Sequence, residues 1–143
     1  MALDFLSPLH KASRQIAVYL ETHTRELGVS PKEGHLLSYL RDYSPAPIGE
    51  LVRVFGIKQS TFTSMLDRLE QAGLIRRELN PDDRRSFLIH ISDGGAELAQ
   101  RLNEHLKILE AQIRERVSPR DMKGFQAVMA AVDEVTRVRL RDR

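Results

Sequence analysis

Ile48 to Ile91 reads IGELVRVFGIKQSTFTSMLDRLEQAGLIRRELNPDDRRSFLIHI, and the reading of this stretch decides the fold. Ile48, Leu51, Val52 and Phe55 recur at the spacing of three and four that gathers apolar side chains on one side of a helix. Gly56 follows, where a turn between two helices needs a residue tolerant of positive φ. From Gln59 to Ala72 a second helix turns Phe62, Met65, Leu66 and Leu69 inward and leaves Gln59, Ser60, Thr61, Thr63, Ser64 and Arg68 largely outward. Gly73 stands at the C′ position that ends such a helix. The period then changes. Leu74–Leu79 and Phe87–Ile91 are short segments with β-branched and aromatic residues, separated by Asn80–Ser86, which contains Pro81. They predict a hairpin whose tip carries Asp82, Asp83, Arg84 and Arg85.

Outside this stretch the chain is helical. Phe5, Leu6, Leu9, Ile16, Tyr19, Leu20 and Leu27 predict a long first helix. Ser30-Pro31-Lys32-Glu33 is a capping-box start for a second helix, with Leu36, Leu37 and Leu40 inward. Ser44-Pro45-Ala46-Pro47 stops it, because prolines cannot sit in a helix interior. Ser92 caps a long helix with Leu98, Leu102, Leu106, Leu109, Ile113 and Val117 at helical spacing. Ser118-Pro119-Arg120-Asp121 repeats the serine-proline start, and Met122, Phe125, Val128, Met129, Val132 and Val135 stripe a final helix. Such broad apolar stripes at both ends exceed what a chain of 143 residues can cover alone, which predicts pairing with a second copy.

The totals restrict the functions open to the chain. It has no cysteine, which removes disulfide frameworks, thiolate zinc sites and cysteine nucleophiles. No apolar run reaches the ~18 residues that span a membrane, and the N-terminus lacks a basic leader, so no membrane partner and a cytoplasmic location are expected. Residues 46–91 hold seven basic and six acidic residues, and the whole chain is only +2. A positive face must therefore come from the placement of a few arginines, not from bulk charge. No nucleophile, base and oxyanion set and no glycine-rich phosphate loop emerges, so neither an enzyme nor a bound cofactor is expected.

What the central stretch offers is DNA-reading chemistry. A helix in the major groove reads base edges with side chains that donate and accept hydrogen bonds, while nearby cations neutralise phosphates. The spacing of Val52, Gly56, Ile57, Phe62 and Met65 fits a helix-turn-helix. An arginine inserted in a narrow minor groove gains from the concentrated negative potential there, and a neighbouring carboxylate can fix its guanidinium by a bidentate bond.

Leu69-Glu70-Gln71-Ala72-Gly73-Leu74-Ile75, Asn80-Pro81-Asp82-Asp83-Arg84-Arg85 and Ile91-Ser92-Asp93-Gly94-Gly95 resemble the winged-helix core of the MarR (multiple antibiotic resistance regulator) family. The resemblance implies a mainly α fold with a small β-hairpin wing (α+β). The winged helix-turn-helix DNA-binding lobe would span residues 31–91, the dimerisation helices 1–30 and 112–143, and a linking helix 92–111. It implies a homodimeric transcription regulator that binds a pseudo-palindromic double-stranded DNA operator, and of repressor and activator a repressor is the expected sense. Arg85 takes the minor-groove position with Asp83 orienting it, and Arg84 the adjacent phosphate contact. Lys58, Gln59, Ser60, Thr61, Thr63, Ser64 and Arg68 fall at the recognition helix, with Arg77 a phosphate contact at the wing base. Two positions depart from the family. Lys58 stands where Ser or Thr usually caps the recognition helix, so the cap is lost or passes to Gln59 or Ser60. Val52 replaces a common Ala at the helix crossing.

The resemblance also implies a small aromatic or lipophilic effector, bound by Ile16, Tyr19, His35, Tyr39 and Arg41. His10, His23, His35, His90 and His105 form no ligand spacing, so no metal residues are named, although a metal-responsive regulator stays an alternative. The other alternative is a winged-helix module for protein–protein assembly.

Overall fold

Serine caps start three of the six helices among the described residues, as their sequences require. In the computed structural model, which describes residues 3–141, Ser30, Ser92 and Ser118 each accept a backbone N–H through the side-chain oxygen. Ser30 and Ser118 complete full capping boxes with Glu33 and Asp121. The chain runs α1 Leu6–Glu26, α2 Pro31–Tyr43, β1 Ala46–Pro47, α3 Ile48–Phe55, α4 Gln59–Gln71, β2 Ile75–Asn80, β3 Asp83–Ile91, α5 Asp93–Arg114 and α6 Pro119–Thr136. This is the mainly α winged helix-turn-helix expected from the sequence.

The core lies in the middle of the chain. Leu36, Leu37 and Leu40 of α2, Leu51 of α3, Phe62, Leu66 and Leu69 of α4, Ile75 and Ile89 of the sheet and Ala99 of α5 form one buried cluster. Each such leucine, isoleucine or phenylalanine contributes about 1.5–3 kcal/mol through burial. Gly56, at φ 62°, makes the left-handed turn from α3 to α4, and Gly73, at φ 74°, ends α4.

Two features of the sheet differ from the sequence reading. Ala46–Pro47, expected only to stop α2, forms a third strand, pairing Ala46 with Ile89 and Pro47 with Leu88 in the order β1-β3-β2. Ser44 Oγ reinforces this edge by accepting the Ile91 N–H at 3.0 Å. The wing is also longer than expected. Leu79 opposes Phe87 and Asn80 opposes Asp83, so Arg84, Arg85 and Ser86 bulge from β3 instead of lying in an open tip.

Where the wing returns to α5 the packing leaves no room. A Cβ on Gly95 would lie 2.1 Å from the Leu74 carbonyl oxygen, a backbone atom that cannot swing aside, whereas one on Gly94 would meet nothing closer than 3.7 Å. Gly95→Ala is expected to destabilise the chain by about 3 kcal/mol or more. Gly94→Ala, with the same change in the same helix turn, is expected to be neutral or mildly stabilising. Urea midpoints for the two variants check this, and equal midpoints would contradict the packing described.

Among the described residues, the helices towards both ends leave apolar side chains open. Ala99 and Leu102 of α5 are buried, but Ile108, Ile113 and Val117 beyond them are exposed. On α6 none of the described side chains is buried, and Phe125, Val128 and Val135 face outward, as do Phe5, Leu9 and Ile16 near the N-terminus. No helix among the described residues is long and apolar enough to cross a membrane.

Candidate nucleic-acid interface

The outer face of α4 carries the expected hydrogen-bonding set. Gln59, Ser60, Thr61, Thr63, Ser64 and Arg68 are all exposed, opposite the buried Phe62, Leu66 and Leu69. Thr63 Oγ1 donates to the Gln59 carbonyl at 2.9 Å and Ser64 Oγ to the Ser60 carbonyl at 3.4 Å. Both hydroxyls therefore keep their acceptor lone pairs for an incoming base or phosphate.

The helix α4 starts without a side-chain cap. Lys58 is the N-cap residue, in extended backbone with ψ 140°, and no side chain caps the helix, so neither Gln59 nor Ser60 takes over. The first N–H groups of α4 are left for solvent or for an anion, which is the arrangement that binds phosphate at a helix start. Lys58→Ser is expected to raise stability by about 1 kcal/mol by restoring the cap. If Lys58 meets a phosphate, as the sequence predicts, the same change removes that cation, and the salt dependence of DNA binding is expected to fall by about one ion. Urea unfolding and binding at several salt concentrations would expose either effect; a variant less stable than the parent contradicts the cap reading.

On the wing, one oxygen organises the arginine. Asp83 Oδ1 accepts the Arg85 backbone N–H at 3.1 Å and lies 3.3 Å from its Nε. The contact is monodentate, not the bidentate fork anticipated, because the bulge brings the Arg85 backbone to the same carboxylate oxygen as its side chain. The Arg85 side chain is otherwise 93% exposed and extends from the wing. Arg84 beside it is exposed as well. Asn80 shapes the tip by accepting the Asp82 N–H on its side-chain oxygen at 3.0 Å.

Two other arginines are paired with carboxylates of the chain itself. Arg77 Nη2 lies 2.6 Å from Asp67 Oδ1 and 3.0 Å from Glu70 Oε1, and its backbone N–H reaches Glu70 Oε2 at 2.9 Å. The hydrogen bonds from the Arg77 side chain and then from its backbone hold the Glu70 carboxyl below the usual carboxylate range, and Glu70 in turn raises the Arg77 guanidinium. With its side chain only 25% exposed, Arg77 clamps the wing to α4, which weighs against the phosphate contact expected of it. Arg68 pairs with Glu33 of α2. The sequence reading missed Asp67, Glu70 and Glu33 in these roles. The signal it could have used is the spacing of Asp67 and Glu70, three apart on one helix face immediately before a strand that carries arginines.

The residues expected to hold an effector do not gather in one place. A cavity of about 270 Å³ lies between α1, α2 and α5, walled by Ile16, Leu20, His35, Ser38, Leu102 and Leu106. Ile16 and His35 line it; Tyr19, Tyr39 and Arg41 do not. Tyr39 lies one position past Ser38 and so points about 100° further around α2, where its hydroxyl donates to Glu50 Oε2 at 3.2 Å and its ring packs on Phe55. Tyr19 and Arg41 are exposed. Burial of the His35 ring, which lies edge-on to Phe55, lowers its pKa from the ordinary histidine value and favours the neutral imidazole, although the residue keeps an exposed edge. His23 and His105 stack with 3.9 Å between ring centres. Among the described residues no three His, Cys, Asp or Glu side chains group as a metal site.

Comparison with known proteins fits this geometry. Residues 29–87 match the MarR family. The HTH-type transcriptional regulator PecS of Dickeya dadantii (strain 3937) is 34% identical over 110 residues, which cover 74% of this chain and 66% of PecS. The chain thus spans about two thirds of the length of that relative. The structure of NadR in complex with 4-hydroxyphenylacetate superposes with a TM-score of 0.81 at 18% identity, covering 92% of this chain and 93% of that one. The S. aureus MepR–DNA complex gives 0.79 at 15% identity, covering 94% and 99%. At those identities the two structures establish the fold alone.

Proposed function

This chain belongs to the MarR family, whose members are DNA-binding transcriptional regulators and not enzymes, and we propose that it acts as a homodimeric repressor reading a pseudo-palindromic operator in the cytoplasm. The observation that carries the reading is the joint presentation of two faces: an exposed, uncapped recognition helix and an exposed arginine steadied by Asp83 on the wing beside it. Gln59, Ser60, Thr61, Thr63 and Ser64 would meet base edges in the major groove, Arg85 the adjacent minor groove, and Lys58 and Arg84 the phosphates. One lobe covers one half-site. The open apolar faces of α1, α5 and α6 would hold two lobes at operator spacing.

Support for DNA over a protein partner comes from the chemistry of the exposed residues. A protein-binding face of this size is expected to centre on apolar anchors, whereas the outer face of α4 is short, polar and hydroxyl-rich. Fluorescence anisotropy with DNA from upstream of the chain's own gene tests the choice. Binding that survives excess random DNA and weakens steeply with salt is expected. Equal, weak binding to every duplex would sink the proposal.

The cavity between α1, α2 and α5 supports an effector as well. Its walls are mainly apolar, with the neutral His35 as a polar handle, which suits a small aromatic molecule. Such a molecule would release DNA only by binding better to a lobe spacing that misfits the operator. NadR was crystallised with 4-hydroxyphenylacetate, which makes that compound a reasonable first probe here.

A further inference from the structure

From the ion pair behind the recognition helix we infer that Glu33 is a positioning residue for DNA reading: through Arg68 it fixes the orientation of α4 relative to α2. This rests on the operator reading above. The Glu33 side chain is only 2% exposed. One of its oxygens, Oε1, accepts the Ser30 N–H at 2.7 Å and also meets the Arg68 guanidinium, while its own N–H donates to Ser30 Oγ at 3.2 Å. A buried carboxylate demands such partners, because an unpaired charge out of water is strongly unfavourable.

The geometry explains why this contact sets orientation. Apart from it, α2 and α4 share the apolar core, where Leu36 and Leu37 are buried with Leu66 and Leu69. Apolar contact is non-directional, so a core alone tolerates a small rotation of one helix against another. A hydrogen-bonded ion pair does not, since its strength depends on donor and acceptor directions. Arg68 lies in the last turn of α4 and the base-reading residues in its first two turns, so a change in tilt at Arg68 moves Gln59 to Ser64 across the groove. The same turn of α2 carries Pro31 and His35, which line the cavity between α1, α2 and α5. Glu33 therefore joins the cavity wall to the reading helix.

Glu33→Gln tests the role, because glutamine keeps the size and still accepts the Ser30 N–H but loses the charge that holds Arg68. Arg68→Gln removes the same contact from the exposed side, and carries the test if the buried variant folds poorly. The measurement is the ratio of affinities for a duplex from upstream of the chain's own gene and for its scrambled counterpart. Each variant is expected to lower this ratio about tenfold, and the double variant no further, as for two residues acting as one unit. Ser30→Ala, which weakens the cap but leaves the carboxylate to Arg68, is expected to lower the unfolding midpoint without changing the ratio. The inference is overturned if Glu33→Gln and Arg68→Gln keep the parent ratio, if their losses add, or if Ser30→Ala lowers the ratio equally. A parent ratio near one would instead remove the operator reading itself, and this inference with it.

Discussion

Arg85→Ala is expected to weaken operator binding by about 1–3 kcal/mol, roughly 5- to 150-fold, with fold and oligomeric state unchanged. The size follows from the position of the side chain. It is 93% exposed and its one described ion-pair partner is Asp83, so little of the protein's own stability depends on it. The proposed contact with DNA is what the variant is expected to lose. The carboxylate of Asp83 is already spent on the Arg85 backbone N–H as well as on Nε, which limits the directions the guanidinium samples before DNA arrives. Pre-ordering of that kind lowers the entropy lost on binding. Asp83→Ala should accordingly give a smaller loss in the same direction. Thermal unfolding that shifts as much as affinity does would show that Arg85 supports the fold instead.

A charge placed on the open face of α6 is expected to have a larger effect. Phe125 and Val128 lie three apart on that helix, and both are exposed in the single chain. In a monomer, Phe125→Glu with Val128→Glu would change only solvated surface and would alter stability by less than about 1 kcal/mol. In a dimer closed by these helices, the same pair buries carboxylates without partners, and two copies face each other across a symmetric contact. The expected result is a folded monomer in sedimentation at micromolar concentration, with operator affinity down at least about 100-fold, because the second half-site no longer adds to the first. A variant that stays dimeric and binds DNA normally would place the dimer contact elsewhere.

Much of this molecule is legible in its sequence because the decisive signals are local. Ser30, Ser92 and Ser118 cap helices by rules that act within four residues, and Gly56 and Gly73 take the positive φ that their turns require. The winged helix-turn-helix follows from those signals together with the apolar spacing between them. What escaped the sequence depends on contacts between distant segments. Ala46–Pro47 is too short to show a period, and it becomes a strand only because Ile89 and Leu88 lie beside it. Arg68 and Arg77 look alike on paper to Arg84 and Arg85, as exposed cations near a reading helix. The Glu33 partner of Arg68 comes from packing that no spacing rule supplies, whereas Asp67 and Glu70, three apart on α4, give Arg77 a partner that their spacing hints at but only the fold completes. The cavity divides its expected lining for the same reason, since one residue along α2 separates Ser38, on its wall, from Tyr39, turned to Glu50.

Two copies of this lobe are proposed to read two half-sites at once. Footprinting of the DNA upstream of the chain's own gene, with the stoichiometry of the complex measured by sedimentation, tests it most directly. Two chains per duplex and two protected half-sites about one helical turn apart, related by an inverted repeat, are the predicted result. Protection spread evenly over the fragment, or one chain per protected site, would contradict it.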